Sequence, residues 1–116
     1  MDILLVPNRD KPDAVQAAQQ LFKLVAQALQ ARAPNRGAGA GGRVAVMPGA
    51  DWTQLAEFRP DLVVVLGGDG SILTTAHALG SMQVPVVGIN FGKLGYLAAY
   101  SMEEFIAGLE KARRGG

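Results

Sequence analysis

The 116-residue chain contains no cysteine and a single histidine. The first absence excludes disulfides, thiolate nucleophiles and Cys-based zinc sites, and the second excludes a histidine metal cluster. Long apolar runs are missing as well. The amino end, MDILLVPNRD, has no basic leader, and its short apolar strand is far below the ~20 residues that span a bilayer. Nor does one sign of charge dominate: 11 Lys+Arg against 10 Asp+Glu leave +1, which is no footprint for nucleic acid. The expectation is a soluble, cytoplasmic protein that binds neither nucleic acid nor membrane. Two familiar fingerprints are also absent. PNRDKP stands after the first strand where GxGxxG would sit, and no GxxxxGK[ST] occurs, which argues against a standard Rossmann dehydrogenase and a P-loop NTPase.

Glycine, by contrast, is plentiful. Part of it forms a run at 37–42, which reads as a flexible loop without register. Glycines 67, 68, 70, 88, 92 and 95 instead follow or flank apolar strands. Since glycine weakens a regular element by roughly 0.5–1 kcal/mol, such a set implies tight turns or close backbone approach.

The periodicities give an alternating order. Ile3–Val6 is a strand ended by Pro7, and Pro12 to about Ala31 is a helix with Val15, Ala18, Leu21, Phe22, Val25 and Leu29 on one face. Val44–Met47 is a strand, and Asp51 caps a short helix from Trp52 to about Phe58. Leu62–Leu66 reads as a strand covered on both faces. A helix from Ser71 to about Leu79 follows, with Ile72, Leu73, Ala76 and Leu79 as its apolar side. Pro85–Ile89 is another buried strand. Ser101 and Glu104 form a capping box that opens a last helix through about Ala112. Short apolar strands alternating with helices predict an α/β fold, a mostly parallel Rossmann-like three-layer sandwich over residues 1–116.

The loop GGDGS at 67–71 concentrates the chemistry. A helix starting there leaves N–H groups without intrahelical partners and presents a positive dipole end, which suits an anion. Gly67, Gly68 and Gly70 let backbone approach a phosphate, yet Asp69 repels one. The conflict resolves if Asp69 meets a magnesium ion or takes a proton from a hydroxyl, both roles in phosphoryl transfer. The plain alternative is that Asp69 caps the helix. A second loop, GINFGKLGYL at 88–97, leaves the next strand at the same sheet edge, so the two loops flank one crevice. Asn90 suits a ribose or base edge, Phe91 and Tyr96 form a wall or pack, and Lys93 meets phosphate or solvent. Asn8 and Arg9, after the first strand, face that edge too, whereas His77 reads as a partly exposed helix residue.

GGDGSILTTAHAL followed by VPVVGINFGKLGYLA resembles the amino-terminal domain of NAD kinase. GGDG alone is shared with lipid kinases and 6-phosphofructokinase. The GxNxGxLGxL run, here Gly88, Asn90, Gly92, Leu94, Gly95 and Leu97, is what singles out NAD kinase, and VPNRDKPDA adds to it. The resemblance implies ATP-dependent phosphorylation of the adenosine ribose 2′-hydroxyl of NAD to NADP, with ATP or polyphosphate as donor and Mg2+ or another divalent metal. It implies Asp69 as the proton acceptor, and Gly67, Gly68, Gly70, Ser71, Thr74, Asn90, Phe91, Gly92 and Lys93 about the nucleotide cleft. It names no metal ligand. It further implies a homodimer or homotetramer, and a second, β-rich domain that this chain lacks. The chain is accordingly expected to be truncated before that domain and weak or inactive by itself. Thr74 stands where many members carry a basic residue. The alternatives are a lipid or sugar-phosphate kinase sharing the GGDG loop, and a non-catalytic nucleotide-binding or assembly domain.

Overall fold

The computed structural model describes residues 1–31, 41–80, 82–91 and 100–113. Four strands and four helices alternate: β1 (Ile3–Pro7), α1 (Pro12–Ala31), β2 (Val44–Val46), α2 (Trp52–Phe58), β3 (Leu62–Gly67), α3 (Asp69–Leu79), β4 (Val86–Asn90) and α4 (Met102–Arg113). The strands form one sheet in the order β2-β1-β3-β4. Every pairing is parallel, with Leu5 opposite both Val46 and Val64, and Leu66 opposite Ile89.

Strand alternation sends successive side chains to opposite faces and so builds two cores. Ile3, Leu5, Val64 and Leu66 face α1 and α4, meeting Ala14, Ala18, Leu21, Val25 and Leu29, with Phe105 and Ile106 packed alongside. Leu4, Val6, Val63 and Val65 face α2 and α3, meeting Leu55 and Leu79. The result is the expected three-layer α/β sandwich. Among the described residues no helix is long and apolar enough to cross a membrane.

Two amphipathic faces differ from the sequence reading. In α1 the buried stripe is Ala14, Ala17, Ala18, Leu21, Val25 and Leu29, which leaves Phe22 36% exposed on its flank. Small alanines let α1 lie close to the sheet, and a close helix buries a narrower stripe. In α3 the buried residues are Thr75 and Leu79, whereas Leu73 is 57% exposed and Ala76 is also exposed. The helix carries apolar residues on two sides, and packing against β3 and α2 buries the one that holds Thr75 and Leu79.

Both capping predictions hold. Asp51 accepts from the Gln54 N–H at 3.0 Å, while the Gln54 side chain accepts from the Asp51 N–H at 3.1 Å. Ser101 and Glu104 make the same reciprocal pair at 3.0 and 3.1 Å. These bonds to Ser101, from its backbone first, hold the Glu104 carboxyl below its ordinary range. In the 37–42 glycine run only Gly41 and Gly42 fall among the described residues. Gly42 has φ +131°, and the Met1 backbone occupies the space a side chain would need.

Candidate active site

The order β2-β1-β3-β4 makes β1 and β3 neighbours whose following connections diverge, β1 leading to β2 on one side and β3 to β4 on the other. Such a switch point opens a crevice beyond the carboxyl ends of the two strands, the usual ligand position in an open α/β sheet. Asn8 follows β1 there and Gly68 follows β3, and the Asn8 N–H donates to the Leu66 carbonyl at 2.8 Å.

Helix α3 starts at Asp69 rather than at Ser71. Gly68 is its N-cap in extended conformation and has no side chain to cap with, so the N-cap position belongs to neither Ser71 nor Asp69. Asp69 is the first residue of the helix and half-buried, which places its carboxylate in the first turn at the positive end of the dipole.

The glycines of this turn divide by purpose. A Cβ on Gly67 would lie 2.7 Å from Ser71 Oγ, 2.9 Å from Ser71 Cβ and 3.3 Å from Asn8 Cβ. Gly67 is therefore bare because the helix and the β1 loop press against it. Gly68 and Gly70 are different: a Cβ on either would meet nothing within 4 Å, and neither has positive φ. Nothing inside the described fold requires those two to be glycine, and the backbone there is left open to the outside.

A cleft of about 390 Å³ adjoins the turn. Pro7, Asn8, Arg9 and Asp10 line one wall, Gly49 and Ala50 another, and Gly70, Ser71, Thr74 and Thr75 the third. Of the residues expected to gather around the nucleotide, Gly70, Ser71 and Thr74 line this cleft, and Gly67, Gly68 and Asp69 lead into the same helix start. Asn90 lies one strand over, in register with Gly67, and Phe91 donates its N–H to the Gly67 carbonyl at 2.9 Å. The Phe91 ring packs against the α1–α4 core. Gly92, Lys93 and Tyr96 lie outside the described residues. His77 is exposed near the end of α3, as expected of a helix surface residue.

The β2–α2 loop was not anticipated as part of the site. Arg9 Nη2 donates to the carbonyls of Pro48 at 3.3 Å and Gly49 at 3.1 Å, tying this loop to the end of β1. Gly49 has φ +59°, so the Pro48-Gly49 pair is a turn that its sequence could have announced. Its place in the cleft follows only from β2 lying beside β1.

A family model described as the ATP-NAD kinase N-terminal domain matches residues 3–116. The chain is 54% identical over 55 residues to a NAD kinase of Rhodopirellula baltica, a stretch that makes up 47% of this chain and 18% of that protein. A NAD kinase of Solibacter usitatus is 53% identical over 55 residues, or 47% of this chain and 19% of the relative. A NAD kinase of Geobacter sulfurreducens is 40% identical over 75 residues, or 65% of this chain and 25% of the relative. These matches span about a quarter of each relative or less. The family match runs through both strand-edge loops and across the whole sandwich, and the chain belongs to the ATP-NAD kinase family through its N-terminal domain.

Proposed function

We propose that this domain contributes the GGDG half of an active site that transfers the γ-phosphoryl group of ATP to the adenosine ribose 2′-hydroxyl of NAD, giving NADP and ADP. The observation that carries the reading is the turn at the end of β3. A carboxylate stands in the first turn of α3 between two glycines whose missing side chains answer to nothing in the described fold. A phosphorylated ligand fits the bare backbone, and the carboxylate fits the hydroxyl that must lose a proton. Asp69 accepts that proton as the 2′-oxygen attacks phosphorus and the bond to the departing ADP breaks. Gly68, Gly70 and Ser71 receive phosphate, and Gly67 keeps the helix close enough for them to do so. Asn90, beside Gly67 in the sheet, and the 91–93 segment border the dinucleotide, with Thr74 on the outer turn of α3.

No group of three His, Asp or Glu side chains gathers to hold a metal among the described residues. A single protein carboxylate such as Asp69 fits a magnesium ion that arrives on nucleotide phosphates, since magnesium keeps most of its shell as water and phosphate oxygen. That ion would neutralise charge on the phosphates. Assembly as a homodimer or homotetramer in the cytoplasm belongs to the same reading.

Asp69→Asn in the full-length protein tests it. The substitution preserves shape and removes the proton acceptor, so NADP formation falls at least 100-fold, within the range general-base catalysis supplies. The melting temperature and the KM for NAD stay near wild type. A variant as active as wild type removes the base assignment. Offering NAD, diacylglycerol and fructose 6-phosphate with labelled ATP identifies the acceptor, and label on either of the latter two overturns the NAD reading.

A further inference from the structure

We infer that the free edge of β4 and the apolar groove beside α4 form a two-fold interface with a second copy of this chain, centred on the Ala107–Gly108 peptide. This surface shares no residue with the cleft at the Asp69 turn and is independent of the phosphoryl-transfer reading.

The backbone supplies the first half of the contact. β4 is the last strand of the sheet. Its odd-numbered residues turn to β3: the Pro85 carbonyl accepts from the Val63 N–H at 3.0 Å, and the Phe91 N–H donates to the Gly67 carbonyl. The even-numbered ones turn outward. Tyr100 takes the upper part of that edge, donating its N–H to the Gly88 carbonyl at 2.7 Å and accepting from the Asn90 N–H at 3.0 Å. Below it, the outward N–H and C=O of half-buried Val86 pair with no strand among the described residues. An edge left this way is a template for another strand. A second β4 fits it, because Val86 can exchange both hydrogen bonds with Val86 of the other copy about a two-fold axis.

Side chains supply the second half. A groove of about 310 Å³ borders the edge, lined by Leu62, Val87, Tyr100, Phe105 and Leu109, with Glu104 and Gly108 from α4. Tyr100 is 52% exposed, so its ring still has apolar surface to bury. Gly108 sits inside α4, where glycine is a poor helix former. A Cβ on it would meet nothing within 4 Å among the described residues beyond its chain neighbours and helix backbone. Bare backbone on the groove side lets a second helix come close.

Charge selects the occupant. Glu104 and Lys111 are exposed, stand two helical turns apart on the face that holds Gly108, and are equidistant from the Ala107–Gly108 peptide. A two-fold axis there sets Glu104 against Lys111 of the second copy, and Lys111 against its Glu104. Glu104 Oε1 accepts from the Ser101 N–H, which leaves Oε2 to face the lysine. Parallel helices would oppose like charges instead. The nearest rival occupant is a strand that follows α4, and chain handedness disfavours it. The β1–α1–β2 crossover steps one way over the α1–α4 face, and β3–α3–β4 steps the other way over the opposite face, with one hand for both. Reaching the free edge of β4 from α4 needs the other hand, which such crossovers almost never take. Stable dimers bury about 800 Å² per partner, more than one strand edge supplies, so packing of α4 on its copy completes the contact.

Gly108→Cys in the full-length protein tests the contact directly, because the axis brings the two introduced thiols together. Mild oxidation is expected to give a disulfide-linked dimer on non-reducing electrophoresis, while Lys23→Cys, exposed on α1, gives no more than wild type. Gly108→Gln is expected to raise the dissociation constant in sedimentation at least tenfold. Its far-UV circular dichroism stays unchanged, since glutamine is the better helix former. Should the glycine variants fail to fold, Lys111→Glu decides. This surface change sets like charges together and is expected to weaken association at least threefold, with the gap from wild type narrowing in high salt. A monomeric wild-type protein overturns the inference, and so does cross-linking at Gly108→Cys no greater than at Lys23→Cys. A dissociation constant unchanged in both Gly108→Gln and Lys111→Glu also overturns it, because assembly then runs through another surface. Unchanged association with a lowered melting temperature in Gly108→Gln gives the groove to another segment of the same protein, and the two-fold interface is again lost.

Discussion

At the scale of single residues, the three glycines of the β3–α3 turn make opposite predictions. Gly67→Ala drives a Cβ into Ser71, whose own Cβ at 2.9 Å is fixed on a helix and cannot swing away. The strand–helix junction must open, a distortion that costs about 1–3 kcal/mol, visible as a lower urea midpoint. Gly68→Ala and Gly70→Ala meet nothing within 4 Å among the described residues beyond their own chain neighbours and helix backbone, so stability stays within ~0.5 kcal/mol or rises slightly for Gly70 inside the helix. Those two variants are instead expected to weaken NAD or ATP binding by calorimetry, because their new methyl groups enter the space proposed for phosphate. Loss of stability without loss of affinity at Gly68 and Gly70 would remove the argument that their bareness serves a ligand. Here the sequence was informative about chemistry but not about cause. It marked all three glycines equally, and only the packing of Ser71 and Asn8 separates the structural one from the open ones.

Between elements, the bottom of the sheet is stapled by one arginine. Arg43, just before β2, donates to Asp2 Oδ2 at 2.9 Å and to the Phe58 carbonyl at 2.9 Å, and lies 4.5 Å from the Phe58 ring centroid. It joins the starts of β1 and β2 to the end of α2. The hydrogen bond from Arg43 holds the Asp2 carboxyl below its ordinary range. A lowered folded-state value means stabilisation that is fully present above the ordinary carboxylate range near 4 and is lost as pH falls through the lowered value. Arg43 is 58% exposed, so solvent screens the pair and its contribution is small. Arg43→Met is therefore expected to lower the urea midpoint at pH 7, with the gap to wild type narrowing below about pH 4. A gap that is equal at both pH values would assign the effect to the ring contact and the Phe58 carbonyl. Elements with a strong local signal were legible to within a residue: α1 has a long 3.6-residue period, and α2 and α4 carry capping pairs. The start of α3 was not, because Ser71 is the better capping residue in isolation. The close approach at Gly67 lets the helix begin two residues earlier.

Across the whole molecule, strand order did what no local motif could. The ends of β3 and β4 were legible as neighbours, but the cleft opens on the other side of β3, toward β1 and the β2–α2 loop. Only the order β2-β1-β3 brings Gly49 next to Ser71, and sequence carries that order as a fold-class tendency, not as a residue pattern. The same sheet couples the two cores. Leu4 and Leu5 are adjacent in β1 and fully buried, yet Leu4 faces the α2–α3 core and Leu5 the α1–α4 core. Leu4→Ala and Leu5→Ala each leave a cavity and should cost about 2–5 kcal/mol. Because both cores hang on one central strand, either variant lowers the stability of the entire sandwich. Far-UV and near-UV circular dichroism should therefore report coincident melting in each single variant, at a temperature below wild type. The double variant loses an amount comparable to the ~5–15 kcal/mol stability of a whole domain and should not fold. Separate transitions in the single variants, with one helix layer melting while the other persists, would show that the sheet does not bind the layers into one cooperative unit.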